Sequence, residues 1–335
     1  MIVGVDVGGA NTKIATSDGF VDSIYAPLWR NKAILNDMLP EAKQKFETEI
    51  EAVGVVMTGE LCDCFESKKE GVLHIKNALS STFYKIKFLD TDCMFRYGSE
   101  VDKDPLSFAS TNWLASAKLV SKLYGDVIFV DIGSTTTDVI PIAGGEIKAK
   151  RRDLERLKSH ELIYSGIVRT NVAAVLKKVN MGGEEHRISS ELFAITADAY
   201  IVLGYITEDD YSCESPDSYA FSGREEAEKS RQSAMRRLAR VVCSDLEEIG
   251  EEGAVSIAEH VKRAQTEELT SSMEKMKDIY GLKKVVSAGV GDFIVKEAAD
   301  SLNMELASLS LRYGSKISTT FPAYAVAKLL EEAFS

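Results

Sequence analysis

This sequence predicts an α/β fold of two domains with an anion-binding cleft between them, and three observations predict it. The chain has 335 residues, enough for two domains of ordinary size. One pattern, an apolar run ending at Asp and entering a Gly-rich turn, occurs twice, about 125 residues apart. After each turn the residues favour strand over helix, so each copy reads as a β-hairpin.

The first copy runs through Met1-Ile2-Val3-Gly4-Val5 to Asp6, turns at Gly8-Gly9-Ala10-Asn11-Thr12-Lys13, and returns as Ile14-Ala15-Thr16. The second runs through Val127-Ile128-Phe129-Val130 to Asp131, turns at Gly133-Ser134-Thr135-Thr136, and returns as Thr137-Asp138-Val139-Ile140. A dinucleotide fingerprint or a P-loop would pass from its strand into a helix. Pro141 opposes a helix here, and neither of those glycine patterns is present.

The turns carry the means to hold phosphate. Gly8, Gly9 and Gly133 let backbone N–H groups approach an anion. Asn11, Thr12, Ser134, Thr135 and Thr136 add side-chain hydrogen bonds. Asp6 and Asp131 would repel a phosphate directly, so their natural task is to hold Mg2+ or its waters. Lys13 can stabilise the charge of a transferring or departing phosphate.

The rest of the chain is assigned around these hairpins. The run Glu51 to Gly59 reads as a buried strand ending in a turn, with Thr58 and Glu60 lining the cleft as nucleotide or substrate ligands. The run Ser110 to Ala117 begins a helix, with Trp113 in the core. The repeat sets a domain boundary, giving a first domain of residues 1–122 and a second of 123–335. Residues 208–222 read as a polar surface loop around Pro216, and Gly223 to Gly250 as a helical insertion with Ala227, Ala234, Leu238 and Val242 facing inward. Lys148, Lys150, Arg151 and Arg152 form a basic stretch, either a solvated face or a seat for a carboxylate or phosphate. A final helix from Pro322 to Phe334 turns Ala323, Val326, Ala327 and Leu330 inward.

Composition excludes other classes. A formal net charge of −12 disfavours sequence-independent nucleic-acid binding. No apolar run is long enough for a membrane span, and no signal peptide opens the chain, so a cytoplasmic protein is expected. Five cysteines with no zinc-like spacing read as structural thiols, Cys62 and Cys64 included.

The quoted motifs resemble those of the actin/heat-shock/sugar-kinase superfamily, Asp6 to Lys13 its first phosphate motif and Asp131 to Asp138 its second. The run Lys284 to Phe293, with Gly289 and Gly291, resembles its adenosine motif and implies nucleotide or substrate binding there. The resemblance implies two ribonuclease H-like (actin-like ATPase) domains with a cleft. Asp131 to Val139 and Glu161 to Thr170 look closer still to the hydantoinase A/oxoprolinase branch. Phe193 to Tyr200 is similar to an archaeal and methylotroph subfamily of one-carbon metabolism, which includes a transferase of methanofuran assembly. That implies an enzyme joining the phenol of γ-glutamyltyramine to an aminomethylfuran-methyl diphosphate, with Mg2+ bridged by Asp6 and Asp131 and Asp138 or Asp131 taking the phenolic proton. Its partner is a small molecule bearing diphosphate. The same motifs would serve an ATP-dependent kinase, a hydantoinase/oxoprolinase-like enzyme or a non-catalytic ATP-binding switch.

Overall fold

A computed structural model describes residues 1–46, 48–219 and 229–334. The chain divides into two compact units. The first comprises Met1–Phe129, Ile140–Ser159 and Ser308–Ser335; the second comprises Val130–Val139 and His160–Ala307. A single break after residue 122 therefore does not describe the division, because the C-terminal segment folds with the first unit.

The sheet of the first unit contains β1 (Ile2–Val7), β2 (Asn11–Thr16), β3 (Val21–Tyr25), β4 (Ala52–Met57), β5 (Ile86–Leu89) and β6 (Phe95–Arg96), in the order β3-β2-β1-β4-β5-β6. β1 pairs antiparallel with β2, forming the expected first hairpin, and parallel with β4. Every residue of β1 and β4 is buried, which is why both read as unbroken apolar runs interrupted only by small residues and one Asp. Gly4 and Gly54 stand opposite each other in that pairing. The helix Phe321–Phe334 lies against them: a Cβ on Gly4 would come within 1.9 Å of the Ala323 carbonyl. Ala323, Val326, Ala327 and Leu330 are fully buried, on the inward face that their helical spacing predicts. Burial of this stripe on the first sheet is what returns the C-terminal segment to the first unit.

The second sheet contains β7 (Val127–Ile132) and β8 (Thr137–Ala143), the expected second hairpin, with β9 (Glu146–Ile147) and β10 (Leu162–Ile163) along β8. A separate hairpin joins β11 (Lys178–Met181) to β12 (Glu184–Arg187), and β13 (Lys284–Gly289) and β14 (Glu305–Ser308) complete the sheet in the order β10-β8-β7-β13-β14. β10 pairs with Thr137 and Asp138, β9 with Ile142 and Ala143. Pro141, which has no N–H to give, falls between those two partners. Both sheets place the first strand centrally, the second and third on one side, and later strands on the other. This is the ribonuclease H-like order, so the fold class read from the sequence holds for each sheet.

Helix Arg231–Val241 lies within the expected insertion, whereas Leu246–Tyr280 starts inside it, breaks at Gly250 (φ 67°, ψ 178°) and runs on well past its expected end. Ala234 and Leu238 are buried as expected, and Val242 is half-buried past the helix end; Gly223 and Ala227 lie outside the described residues. The surface-loop reading of 208–222 needs correction over its described part. Tyr211 and Ser215 are fully buried, and the Tyr211 hydroxyl donates to Asp198 Oδ1 at 3.1 Å. Arg237 bonds Asp198 at 2.7 Å and Asp217 at 3.2 Å. A buried carboxylate and guanidinium require such partners, so this polar loop is drawn inward by a charge pair rather than by apolar residues.

Gly4→Val is expected to push the helix Phe321–Phe334 off its sheet and cost about 3 kcal/mol, since the obstruction is backbone. Urea unfolding, read as the change in midpoint at constant slope, measures it.

Candidate active site

In the first unit the hairpin turn sits where the sequence places it. Asp6, only 3% exposed, is the penultimate residue of β1, and Lys13 stands directly opposite it on β2. Cross-strand neighbours lie within ~5 Å at Cβ, so the cation and the carboxylate share one face. Gly8 N–H donates to the Asn11 carbonyl at 3.0 Å, and Leu28 N–H to the Gly9 carbonyl at 2.9 Å. Gly8, Gly9, Asn11 and Lys13 are partly accessible, whereas Thr12 is enclosed, its Oγ1 without a partner among the described residues. Cys62 lies against this turn, its Sγ 2.9 Å from where a Gly9 Cβ would stand. Among the described residues no group of three or more His, Cys, Asp and Glu gathers as a metal cluster.

Thr58 and Glu60 join the same turn. Thr58 N–H donates to the Val7 carbonyl at 2.9 Å, and a Cβ on Gly59 would meet the Gly8 carbonyl at 3.0 Å. Glu60 follows, fully buried. Its Oε1 lies 2.9 Å from Ser110 Oγ, and Ser110 Oγ is also 2.6 Å from Asp153 Oδ2. Burial pushes the Glu60 carboxyl up to about 7. Asp153 in turn faces Lys68 at 3.6 Å and Arg156 at 3.3 Å. The Arg156 guanidinium lies 4.1 Å from the centre of the buried Trp113 ring, so Trp113 is core, as expected. A cavity of about 580 Å3 opens beside this group, its wall including Lys68, Ser110, Arg151, Arg152 and Asp153. Ser110, Asp153 and Lys68 carry no motif and were not among the residues expected from the sequence.

In the second unit the turn is held from outside. Gly133 N–H donates to the Thr136 carbonyl at 2.9 Å, closing the turn. The segment 165–170 straps it: Ile167 N–H bonds the Gly133 carbonyl at 3.1 Å, and Val168 and Arg169 N–H bond the Ser134 carbonyl at 3.1 and 2.9 Å. With these carbonyls committed, the turn presents its amides and the Ser134, Thr135 and Thr136 hydroxyls. A Cβ on Gly166 would stand 2.6 Å from Thr135 N, so only glycine lets the strap lie this close. Gln265 anchors the strap through Ser165 Oγ at 2.7 Å and the Gly166 carbonyl at 3.1 Å, and Tyr200 donates to Gln265 Oε1 at 2.6 Å.

Gly289 and Gly291 are brought to the same turn. Gly289 has φ +88°, and a Cβ there would fall 2.2 Å from the Ile132 carbonyl and 2.6 Å from Asp131 Oδ1. Gly291 packs on the Ile132 side chain, and Val290 N–H bonds the Ile132 carbonyl at 2.9 Å. The helix Asp292–Ser301 follows, as the third motif predicts. Asp131, Gly133, Ser134, Thr135, Thr136, Gly289 and Gly291 thus form one group. Asp138 is buried inside β8, opposite Leu162.

An Asp-ended strand leading into a glycine turn occurs in each unit, on sheets of ribonuclease H-like order, and this defines the class, an α/β protein with two ribonuclease H-like parts. The chain belongs to the hydantoinase/oxoprolinase family, whose model matches residues 51–333. It is 37% identical over 99% of its length, and 98% of the relative's, to the (4-{4-[2-(gamma-L-glutamylamino)ethyl]phenoxymethyl}furan-2-yl)methanamine synthase of Methanocaldococcus jannaschii. A protein of the same name from Methanococcus vannielii is 36% identical over 61% of this chain and 90% of its own. Among solved structures, a ROK family glucokinase from Streptomyces griseus in complex with glucose and AMPPNP covers 98% of each chain, with 13% identity and a TM-score of 0.45. No helix among the described residues is long and apolar enough to cross a membrane.

Gly289→Ala is expected to destabilise the second unit by about 2 kcal/mol or more, since the new Cβ meets backbone at a positive φ. Gly144→Ala, also at positive φ (+62°) but with open space around it, should cost only about 1 kcal/mol. Paired urea titrations of the two variants separate crowding from backbone strain.

Proposed function

We propose that this chain catalyses the ether-forming step named by its relatives: the phenol of γ-glutamyltyramine attacks the methyl carbon of an aminomethylfuran-methyl diphosphate, and diphosphate leaves. The observation that carries this reading is identity of 37% to such a synthase over 99% of the chain. The product named for these relatives contains a phenoxymethyl-furan linkage, which requires a phenol oxygen and a furan-bound CH2 bearing a leaving group. A chain with two glycine turns suited to anions supports phosphate as that leaving group.

The residues divide the work. Asp6 beside Lys13 in the first unit, and Asp131 beside the strapped turn in the second, are the carboxylates proposed to hold Mg2+ or its waters, each in its own unit. The buried Asp6 next to accessible turn glycines fits that use. Bound Mg2+ would supply neutralisation of diphosphate charge. Lys13 stabilises the departing oxygen, and the amides of Gly9 and of Ser134 to Thr136, with the Asn11 side chain, orient the phosphates, while Gly8 and Gly133 use their N–H groups to close the turns. Thr12, being enclosed, would serve by fixing the turn. The carbon under attack is attached to an electron-rich furan, so C–O cleavage can run ahead of bond formation. Leaving-group stabilisation is then the larger task, and the proton of the phenol, with pKa ~10, still needs an acceptor.

A second reading, an ATP-dependent kinase or activating enzyme, draws on the turn at Gly289 and Gly291, which leaves backbone close to Asp131 with no side chain between. Calorimetry with Mg-diphosphate and with Mg-ATP separates the two: diphosphate binding without ATP binding is expected, and ATP binding with hydrolysis would transfer the assignment to the kinase. Asp6→Ala, Lys13→Ala and Asp131→Ala should each lower turnover by about 100-fold to 1,000-fold while melting curves persist. Wild-type turnover in all three would remove these residues from the site.

A further inference from the structure

We propose that the cavity of the first unit seats the hydroxyl of the acceptor substrate, and that its proton leaves through Ser110 to Glu60. The inference rests on the transferase reading and assigns that reaction its proton acceptor. Asp138, an acceptor expected from the sequence, is buried within β8 and already engaged.

Three observations carry it. The first is a proton count. Ser110 Oγ has a single hydrogen, yet it stands 2.9 Å from Glu60 Oε1 and 2.6 Å from Asp153 Oδ2. Asp153 stands nearer to the hydroxyl than Glu60 and faces Lys68 and Arg156, so it takes the serine hydrogen. The contact with Glu60 is then satisfied only when Glu60 carries a proton and donates it to Ser110. Glu60 Oε2 is buried with no partner among the described residues. A structural carboxylate would be expected to have both oxygens bonded, and an unsatisfied one calls for a functional reason.

The second observation is backbone strain. Ser110 has φ +53°, a left-handed conformation that a residue with a side chain adopts at a cost. That conformation holds the hydroxyl between the two carboxylates. The third is access. Ser110 and Asp153 are on the wall of the 580 Å3 cavity together with Lys68, Arg151 and Arg152. A hydroxyl nucleophile entering there meets Ser110, and the surrounding cations favour an acceptor that becomes or already is anionic.

The step balances with the groups present. With Glu60 ionised, the Ser110 hydroxyl turns from Asp153 to Glu60 Oε1, gives Glu60 its proton and takes the proton of the phenol. The phenolic oxygen forms the new C–O bond, the bond to diphosphate breaks, and its electron pair leaves with the diphosphate. Glu60 ends protonated and returns the proton to water. Burial holds Glu60 near 7, so both its forms are populated at neutral pH. The charged groups facing it are Lys68, from the helix Lys68–Thr82, which favours ionisation, and Asp153, from the helix Asp153–Lys158, which opposes it.

The test uses the full chain with γ-glutamyltyramine and the furan diphosphate. Wild-type kcat/KM is expected to rise with pH and level off above about 7. Glu60→Gln should lower it by about 100-fold and abolish that limb, and Glu60→Asp should restore a limb. Ser110→Gly, which suits the positive φ and removes the hydroxymethyl side chain, keeps the test valid should Glu60→Gln not fold; it should lose about as much rate. Infrared titration of the unliganded protein should show a buried carboxyl ionising near neutrality that Glu60→Gln lacks. An active wild type whose limb survives unchanged in Glu60→Gln overturns the relay and leaves the transferase standing. A wild type that forms no ether overturns the transferase and the relay's role together. No carboxyl titrating near neutrality overturns the relay whatever the activity.

Discussion

Backbone lies directly against backbone at both glycine turns, and that approach depends on the missing side chains of a few glycines. In the first unit the chain after β4 reaches Gly8 because Gly59 has no Cβ; in the second, Gly166 and Gly289 let a strap and a strand end close on Gly133 to Thr135 and on Asp131. The consequence is electrostatic as well as steric. When the turn carbonyls are consumed by these neighbours, the polar capacity left to the turn is donor in character, which is what an anion requires. The same logic works at larger scale at Gly4 and Gly54, whose bare backbone seats the C-terminal helix.

Polar burial is the second theme, and the two units use it differently. In the second unit, Asp198, Arg237, Tyr211 and Asp217 satisfy one another, and Tyr200 and Gln265 tie the strap to the long helix Leu246–Tyr280. Such a network is costly to disrupt and holds the turn still. In the first unit the group of Glu60, Ser110 and Asp153 is left one partner short, next to a cavity. A closed network suits a scaffold, and an open one suits a proton path.

How much of this was legible follows from the range of each interaction. The hairpins were legible because each is a pair of β-rich runs joined by a glycine turn after an Asp, and β1 and β2 do pair with Asp6 opposite Lys13. The strand Ala52–Met57 was legible as a short apolar run, and the inward stripe of the last helix from its helical spacing. The loop around Tyr211 was misread because a polar composition is the same whether the polar groups meet water or Arg237. Glu60 was singled out from its place after a strand, but nothing near it in sequence announced Ser110, 50 residues on, or Asp153, 43 further.

The sequence by itself determined the class of this protein: two sheets, each opening with an Asp-ended strand and a glycine turn, and a family whose model spans residues 51–333. These are local or linear properties, set by propensity, periodicity and spacing. The tertiary structure decided the rest. It folded the C-terminal helix back onto the first sheet, because only there does its apolar stripe find a surface stripped of side chains. It also brought a serine with a left-handed backbone between two carboxylates distant in the chain, and burial then set the proton affinity of Glu60, a property that exists only once water has been excluded.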